Sequence, residues 1–230
     1  MRPLMMALLI YFTVSPLGAQ QQSLWVKLER GESLYLDPLA MQWVPISAKQ
    51  TLPSKTFVLT KERTELKLYK ETDVYNTPDH GYFFLEDVVL KSKNDLVGAL
   101  TQIEGEQLPS MKVDSGGKQS VGLTYGFPGA EKTSVNIPFF EERLNAIRWF
   151  YNQKRYDAAL LSLKRLLTRF PNQYYSASRL EMLFDLYEKA ELYGFIFDET
   201  NRLMALQKND EFGPVIVRWN EVAKKYLLKR

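Results

Sequence analysis

The chain has 230 residues, of which 45% are hydrophobic and 25% charged, and a formal net charge of +3. This is the composition of a folded globular protein, and the small charge argues against nucleic acid as the main partner. The chain has no cysteine and one histidine, which excludes disulfide frameworks, thiol nucleophiles, thiolate metal sites and every site that requires two histidines. We therefore predict no metal and no cofactor.

Residues 1–19 are predicted to be a secretory signal peptide. Arg2 precedes the apolar run of residues 4–14, and the small residues Gly18 and Ala19 come before a glutamine-rich stretch. An uncleaved membrane anchor is the less favoured alternative, because a spanning helix needs about 20 apolar residues. We expect cleavage after Ala19 and a soluble periplasmic or secreted protein whose membrane contact is at most peripheral.

The first half of the chain predicts an antiparallel β domain at residues 23–104. Short β-branched and aromatic runs are separated by turn residues, and apolar and polar side chains alternate in residues 64–68, as in a strand with one solvated face. The runs are Leu24-Trp25-Val26, Leu34-Tyr35-Leu36, Trp43-Val44-Pro45-Ile46, Phe57-Val58-Leu59-Thr60, Leu66-Lys67-Leu68-Tyr69, Tyr82-Phe83-Phe84-Leu85 and Val88-Val89-Leu90.

Residues 105–138 are rich in glycine and proline and predict a linker. From Phe139 onward the apolar residues recur with helical spacing, which predicts a helical domain at residues 139–230. Within it, Gly194 is expected to interrupt the third helix, and Pro214 is expected to begin the last one. The sequence therefore predicts an α+β protein with the β domain first.

The first helical pair resembles a tetratricopeptide repeat over residues 140–173. The residues that carry the resemblance are Ala146-Ile147-Arg148-Trp149-Phe150-Tyr151, Tyr156-Asp157-Ala158-Ala159-Leu160, Leu163, Leu166 and Pro171. Lys154 stands where that family usually has glycine, and a shift of 34 residues places Ala159 on Tyr193. The resemblance implies a hairpin of two helices followed by a divergent second repeat and a capping helix.

The β half is similar, more faintly, to the β-rich domain of FecR-type periplasmic proteins. The residues concerned are Trp43-Val44-Pro45-Ile46, Val58-Leu59-Thr60, Thr64, Leu66 and Leu68. Lys61 replaces that family's glycine, and its Asp-Gly turn is absent. An unrelated antiparallel sheet is the alternative.

The tetratricopeptide resemblance also implies a contact surface on the inner face of the first helix. The positions carried over are Glu141, Leu144, Arg148, Tyr151 and Asn152. Arginine and tyrosine are frequent interface anchors, because one supplies bidentate donors and the other a rigid amphipathic ring. The alternative is that this face packs against the third helix or the β domain.

The remaining polar residues predict no catalytic site. His80 lies in the turn Thr77-Pro78-Asp79-His80-Gly81 and is expected to be solvent-exposed. Lys164, Arg165 and Arg169 lie late in a predicted helix, where the helix dipole favours cations.

We expect an exported, non-catalytic adaptor or assembly factor that binds protein partners of a cell-envelope complex. One alternative is a small-molecule- or glycan-binding module that uses the β domain. The other is a hydrolase with a dispersed site.

Overall fold

The computed structural model describes residues 23–105, 137–170, 176–206 and 212–229. The predicted signal peptide and almost all of the predicted linker lie outside these ranges, as does Pro171. The described residues form eight antiparallel strands followed by helices, which confirms the α+β prediction and its order. The strands are β1 (Ser23–Arg30), β2 (Ser33–Asp37), β3 (Gln42–Pro45), β4 (Lys49–Pro53), β5 (Phe57–Thr60), β6 (Glu65–Lys70), β7 (Asp73–Asn76) and β8 (Gly81–Phe84).

The strands form two four-stranded sheets, with orders β4-β1-β6-β7 and β3-β2-β5-β8. In the first sheet Val26 lies opposite Leu68, and both side chains are completely buried. Their neighbours Trp25 and Tyr69 point to the other face, because successive side chains alternate across a strand. Val58 of the second sheet belongs to the same hydrophobic core. The two sheets therefore bury one face each in a common core.

The helices follow β8. A 3₁₀ turn (Glu86–Val89) leads to α1 (Lys93–Gly105), and the later helices are α2 (Phe140–Asn152), α3 (Tyr156–Arg169), α4 (Ala177–Lys189), α5 (Tyr193–Leu206) and α6 (Gly213–Leu227). Leu163, Leu166 and Leu167 are almost fully buried on α3, which is the periodicity that predicts this helix. Pro214 lies in the first turn of α6, as expected.

The prediction of a strand at Val88-Val89-Leu90 is wrong. Val88 and Val89 belong to the 3₁₀ turn, and α1 follows within the range predicted as β domain. A short buried apolar run has no periodicity that separates strand from helix. The pair Asn94-Asp95 resembles a turn but begins α1, since Ser92 and Asp95 exchange hydrogen bonds of 3.1 Å between their side chains and backbone N–H groups.

The α2–α3 and α4–α5 connections have the same turn geometry. Each has three residues, and Glu191, 37 positions after Lys154, shares its left-handed backbone, with φ of 56° and 58°. The N–H of the following residue donates across each turn at 2.8 Å, from Arg155 to the Phe150 carbonyl and from Leu192 to the Tyr187 carbonyl. Phe150 and Tyr187 are both fully buried. The helical half thus contains two hairpins with one turn geometry.

The second hairpin corrects the expectation for Gly194. At 37 positions Ala159 corresponds to Ile196, and both are completely buried, whereas the 34-residue shift places Ala159 on Tyr193. Gly194 does not interrupt a helix, because it lies in the first turn of α5. The turn around Glu191 connects the two helices instead. The sequence does not indicate this turn, because its left-handed position carries a glutamate and not the usual glycine.

Helix α2 packs along β8 and joins the two halves. Phe83 contacts Phe150 edge to face at 6.0 Å between ring centroids, and both belong to one hydrophobic core with residues of the sheets and helices. The Arg143 guanidinium lies 3.8 Å from the centre of the Tyr82 ring. An edge strand exposes unpaired backbone groups, so a helix laid against β8 also protects that edge.

Lys164 and Arg165 of α3 are held by carboxylates rather than by the helix dipole. Lys164 is 1% exposed, and its Nζ lies 2.7 Å from the buried carboxylate of Glu199. Arg165 forms an ion pair with Asp87. The expectation that these cations need only a helix C-terminus is wrong, because their partners lie on distant segments.

Candidate functional site

A groove of about 490 Å³ lies where α2 passes two turns of the β half. We call it the α2 groove. Its lining residues are Glu62, Arg63, Pro78, Asp79, His80, Asn145, Arg148, Trp149 and Asn152.

The two turns that form one wall of the α2 groove are held together by hydrogen bonds. The buried Thr60 hydroxyl donates to Pro78 O at 2.9 Å and accepts from Gly81 N at 2.9 Å. Thr64 N donates to Asp79 O at 3.3 Å. These bonds fix the two turns to each other, so this wall of the α2 groove has a defined backbone position.

His80 lies in a turn, as predicted, but contacts α2. Its Nδ1 is 3.4 Å from Asn145 Nδ2, and its Nε2 is 3.8 Å from Glu142 Oε1. The imidazole side chain is 32% exposed, so the expectation of a freely exposed histidine is wrong. The sequence gives no sign of this contact, because the partners lie more than 60 positions away on another element.

Two of the five predicted contact residues line the α2 groove. Arg148 and Asn152 are one helical turn apart on α2 and are exposed. Within the described part of the chain, neither side chain has an ion pair or a hydrogen bond. Trp149 lies between them and supplies an aromatic surface. The groove therefore presents a cation and an amide that no described residue engages, beside an indole that also contacts the Phe150 ring at 5.4 Å.

The other three predicted residues do not line the α2 groove. The Tyr151 hydroxyl donates to Asp185 Oδ2 on α4 at 2.8 Å, and this hydrogen bond raises the pKa of the phenol. Leu144 is half-buried and packs against the core, and Glu141 is exposed in the first turn of α2. For Tyr151 and Leu144 the structure follows the alternative, in which this face packs within the chain.

Sequence reasoning missed a second groove of about 300 Å³, which is lined by four lysines. Lys91 lies just before α1, and Lys93 is its first residue. Lys154 lies in the α2–α3 turn, and Lys189 is the last residue of α4. We call it the lysine groove. The lysines are spread over 99 positions of the chain, so no local run of charge marks them.

The solvent face of the β4-β1-β6-β7 sheet carries a row of apolar side chains. Trp25 lies opposite Tyr69, which lies opposite Val74, and Trp25 and Val74 are 51% and 55% exposed. Lys49 Nζ lies 5.0 Å from the centre of the Trp25 ring. Strand alternation predicts that Trp25 points outward. That Trp25, Tyr69 and Val74 form one row follows only from the register of β1, β6 and β7.

Comparisons with protein-family models, curated proteins and solved structures found no match to this chain. The resemblances to tetratricopeptide repeats and to FecR-type domains therefore stay predictions. Among the described residues, no three His, Cys, Asp or Glu side chains are grouped so as to hold a metal ion. None of the described helices has the length and apolar character needed to cross a membrane.

Proposed function

We propose that the protein is an exported, non-catalytic adaptor that holds a segment of a cell-envelope protein in the α2 groove. The observation that carries this proposal is the exposure of Arg148 and Asn152 in that groove without a partner among residues 23–105, 137–170, 176–206 and 212–229. An extended peptide offers carboxylates and backbone carbonyls to such donors, and Trp149 offers apolar contact beside them. The arginine and amide would set the position of the peptide, and the indole would bury its apolar side chains.

The lining of the α2 groove also supports a binding role over a hydrolytic one. Of the described residues that line it, none is a serine, threonine, lysine or cysteine. His80 lies there, but its ring nitrogens face Asn145 and Glu142 rather than a nucleophilic side chain. A triad-like mechanism needs a nucleophile within hydrogen-bond reach of the base.

Site-directed photocrosslinking in intact cells tests the adaptor proposal. A photoreactive residue is placed at Asn152, and the control carries it at Lys225, which is exposed on α6. We expect one envelope protein to be recovered repeatedly from the Asn152 position and not from the control. The variant Arg148→Ala should reduce that crosslink at least severalfold while its circular dichroism spectrum stays unchanged. Recovery of the uncrosslinked monomer alone would reject the proposal.

A second candidate function, glycan binding by the β half, has its own supporting observation. The Trp25-Tyr69 row provides ring faces on which the C–H faces of sugars stack. Beside it Lys27 and Lys67 pair with Glu29 at 2.9 and 3.7 Å, which places donors and acceptors side by side. Sugar hydroxyls both donate and accept, so this mixture suits them better than a surface of one charge.

Sedimentation with purified peptidoglycan tests this second function. We expect Trp25→Ala to abolish co-sedimentation, whereas Leu39→Ala should leave it intact, because Leu39 is an exposed apolar residue in the β2–β3 turn. Equal retention of both variants would show that the sheet face does not bind glycan. Because the α2 groove is formed by other residues, Arg148→Ala should not change this binding.

A further inference from the structure

The lysine groove lies between three separate segments of the chain. The residues after the 3₁₀ turn form one side, the α2–α3 turn forms the second, and the end of α4 forms the third. Among the described residues, the charged lining consists of Lys91, Lys93, Lys154, Lys189 and Asp157. Four ammonium groups thus line one concave site, although the net charge of the chain is only +3.

Three of the four groove lysines form ion pairs with carboxylates that lie outside the groove lining. Lys91 pairs with Glu71 at 2.7 Å and with Asp73 at 3.2 Å, but neither carboxylate lines the groove. Lys93 and Lys189 likewise pair with acidic side chains outside the lining, at 3.4 and 3.3 Å. Solvent-exposed pairs of this kind are weak, so a ligand anion can compete for the ammonium groups.

Lys154 is the groove cation that lacks such a pair. In the described part of the chain its side chain has no carboxylate within ion-pair distance. Its backbone is left-handed, with φ of 58°, a conformation that favours glycine. The turn therefore carries an ammonium group at a position whose backbone conformation glycine would adopt without strain.

We propose that the lysine groove binds a multiply charged phosphate group. Lysine ammonium groups act as rotatable point charges, which suit the oxygens of a phosphate, whereas planar recognition of a carboxylate favours arginine. None of the described lining residues is an arginine. The hydroxyls of Ser92 and Tyr156 also line it and add neutral donors. This ligand site is independent of the α2 groove and of the adaptor proposal.

The repeated turn geometry supplies a matched pair of variants. Lys154→Gly removes the ammonium group and relieves the left-handed backbone, so the turn should remain folded. Glu191→Gly makes the same backbone change in the second turn but removes the carboxylate that pairs with Lys93. The two variants therefore differ in the sign of the charge that they remove beside the groove.

Isothermal titration of the purified chain with sodium pyrophosphate at low ionic strength tests the proposal. We expect one site in the wild type, about tenfold weaker binding in Lys154→Gly, and equal or tighter binding in Glu191→Gly, with affinity falling as salt is added. Absence of binding in the wild type would overturn the proposal. Unchanged affinity in Lys154→Gly, or an equal loss in both glycine variants, would overturn it as well, because turn shape rather than charge would then control the effect.

A vesicle experiment distinguishes the two sources of such a phosphate. The wild type and Lys154→Gly are sedimented with phosphatidylcholine vesicles that contain phosphatidic acid. Binding that pyrophosphate displaces and Lys154→Gly weakens would assign the groove to a lipid phosphate. Pyrophosphate binding without vesicle binding would assign it to a soluble phosphate compound.

Discussion

Arg165 on α3 forms a bidentate ion pair with the carboxylate of Asp87 in the 3₁₀ turn. Arg165 Nε lies 2.8 Å from Asp87 Oδ2, and Nη2 lies 3.0 Å from Oδ1. Asp87 is 1% exposed. Burial raises the pKa of Asp87, and the Arg165 guanidinium acts in the opposite direction. The pair therefore connects the 3₁₀ turn that follows β8 with helix α3.

Replacement of Asp87 by alanine should destabilise the whole chain. It removes the buried carboxylate that faces Arg165, and breaking a buried pair in this way costs about 3 to 5 kcal/mol. Urea unfolding, followed by tryptophan fluorescence, measures the loss. The double variant Asp87→Leu/Arg165→Met should lose less than the sum of its single changes, because it leaves no buried charge. A loss below about 0.5 kcal/mol in Asp87→Ala would contradict a structural role for the pair.

The buried pair between Glu199 and Lys164 should make stability dependent on acid pH. Burial by itself raises the pKa of Glu199, but Lys164 and Arg202 outweigh it and hold this pKa below its ordinary value. Because the folded pKa is the lower one, the pair stabilises the fold above the ordinary glutamate pKa of about 4.3. This contribution is lost as the pH falls through the folded pKa.

The variant Glu199→Gln isolates this pH dependence. At pH 7 it should lower the free energy of unfolding by about 3 kcal/mol, since the buried Lys164 loses its buried carboxylate partner and keeps only the pair with the more exposed Glu104. The difference from wild type should shrink as the pH falls from about 4.3 through the lower folded pKa of Glu199, because protonation of this carboxylate removes the charged pair. Urea unfolding between pH 7 and pH 3 measures both values, and a difference that does not change with pH would contradict the assignment.

Substitution of Gly81 should report on the contact between β8 and α2. An alanine Cβ at this position would lie 2.8 Å from Pro78 Cβ and 3.1 Å from Ala146 Cβ. We expect Gly81→Ala to lower the free energy of unfolding by about 1 to 3 kcal/mol. Gly98→Ala in α1 is the matched control, since its added Cβ would meet no atom within 4 Å outside the neighbouring backbone of the helix. This variant should raise the free energy of unfolding by about 0.5 to 1 kcal/mol. Thermal melts of both proteins measure these opposite shifts.

Tyr151→Phe should separate the two roles predicted for the inner face of α2. The variant loses the hydrogen bond to Asp185, so it should lower the free energy of unfolding by about 0.5 to 1.5 kcal/mol. It should leave photocrosslinking from Asn152 unchanged. Arg148→Ala should show the reverse pattern, with stability kept and the crosslink reduced. Loss of the crosslink in Tyr151→Phe at unchanged stability would instead make Tyr151 a partner contact.

The sequence by itself determined that a β half precedes a helical half, and it predicted most of the helices. Strand alternation predicts the buried positions of β6, where Leu66 and Leu68 are 1% and 0% exposed. Helical spacing predicts α3 through Leu163 and Leu166. These signals are local, because each depends on which face of one element becomes buried. For the same reason the sequence missed α1, whose first residues resemble a turn.

Only the tertiary structure decided which polar side chains act together. Lys164 pairs with Glu199, 35 positions away, and Arg165 with Asp87, 78 positions away. The tertiary structure also placed Arg148 in a groove while Tyr151, on the same helix, bonds to α4. A charged or hydroxyl side chain has no periodicity that reveals its partner, and its burial is tolerated only once a distant chain segment supplies that partner.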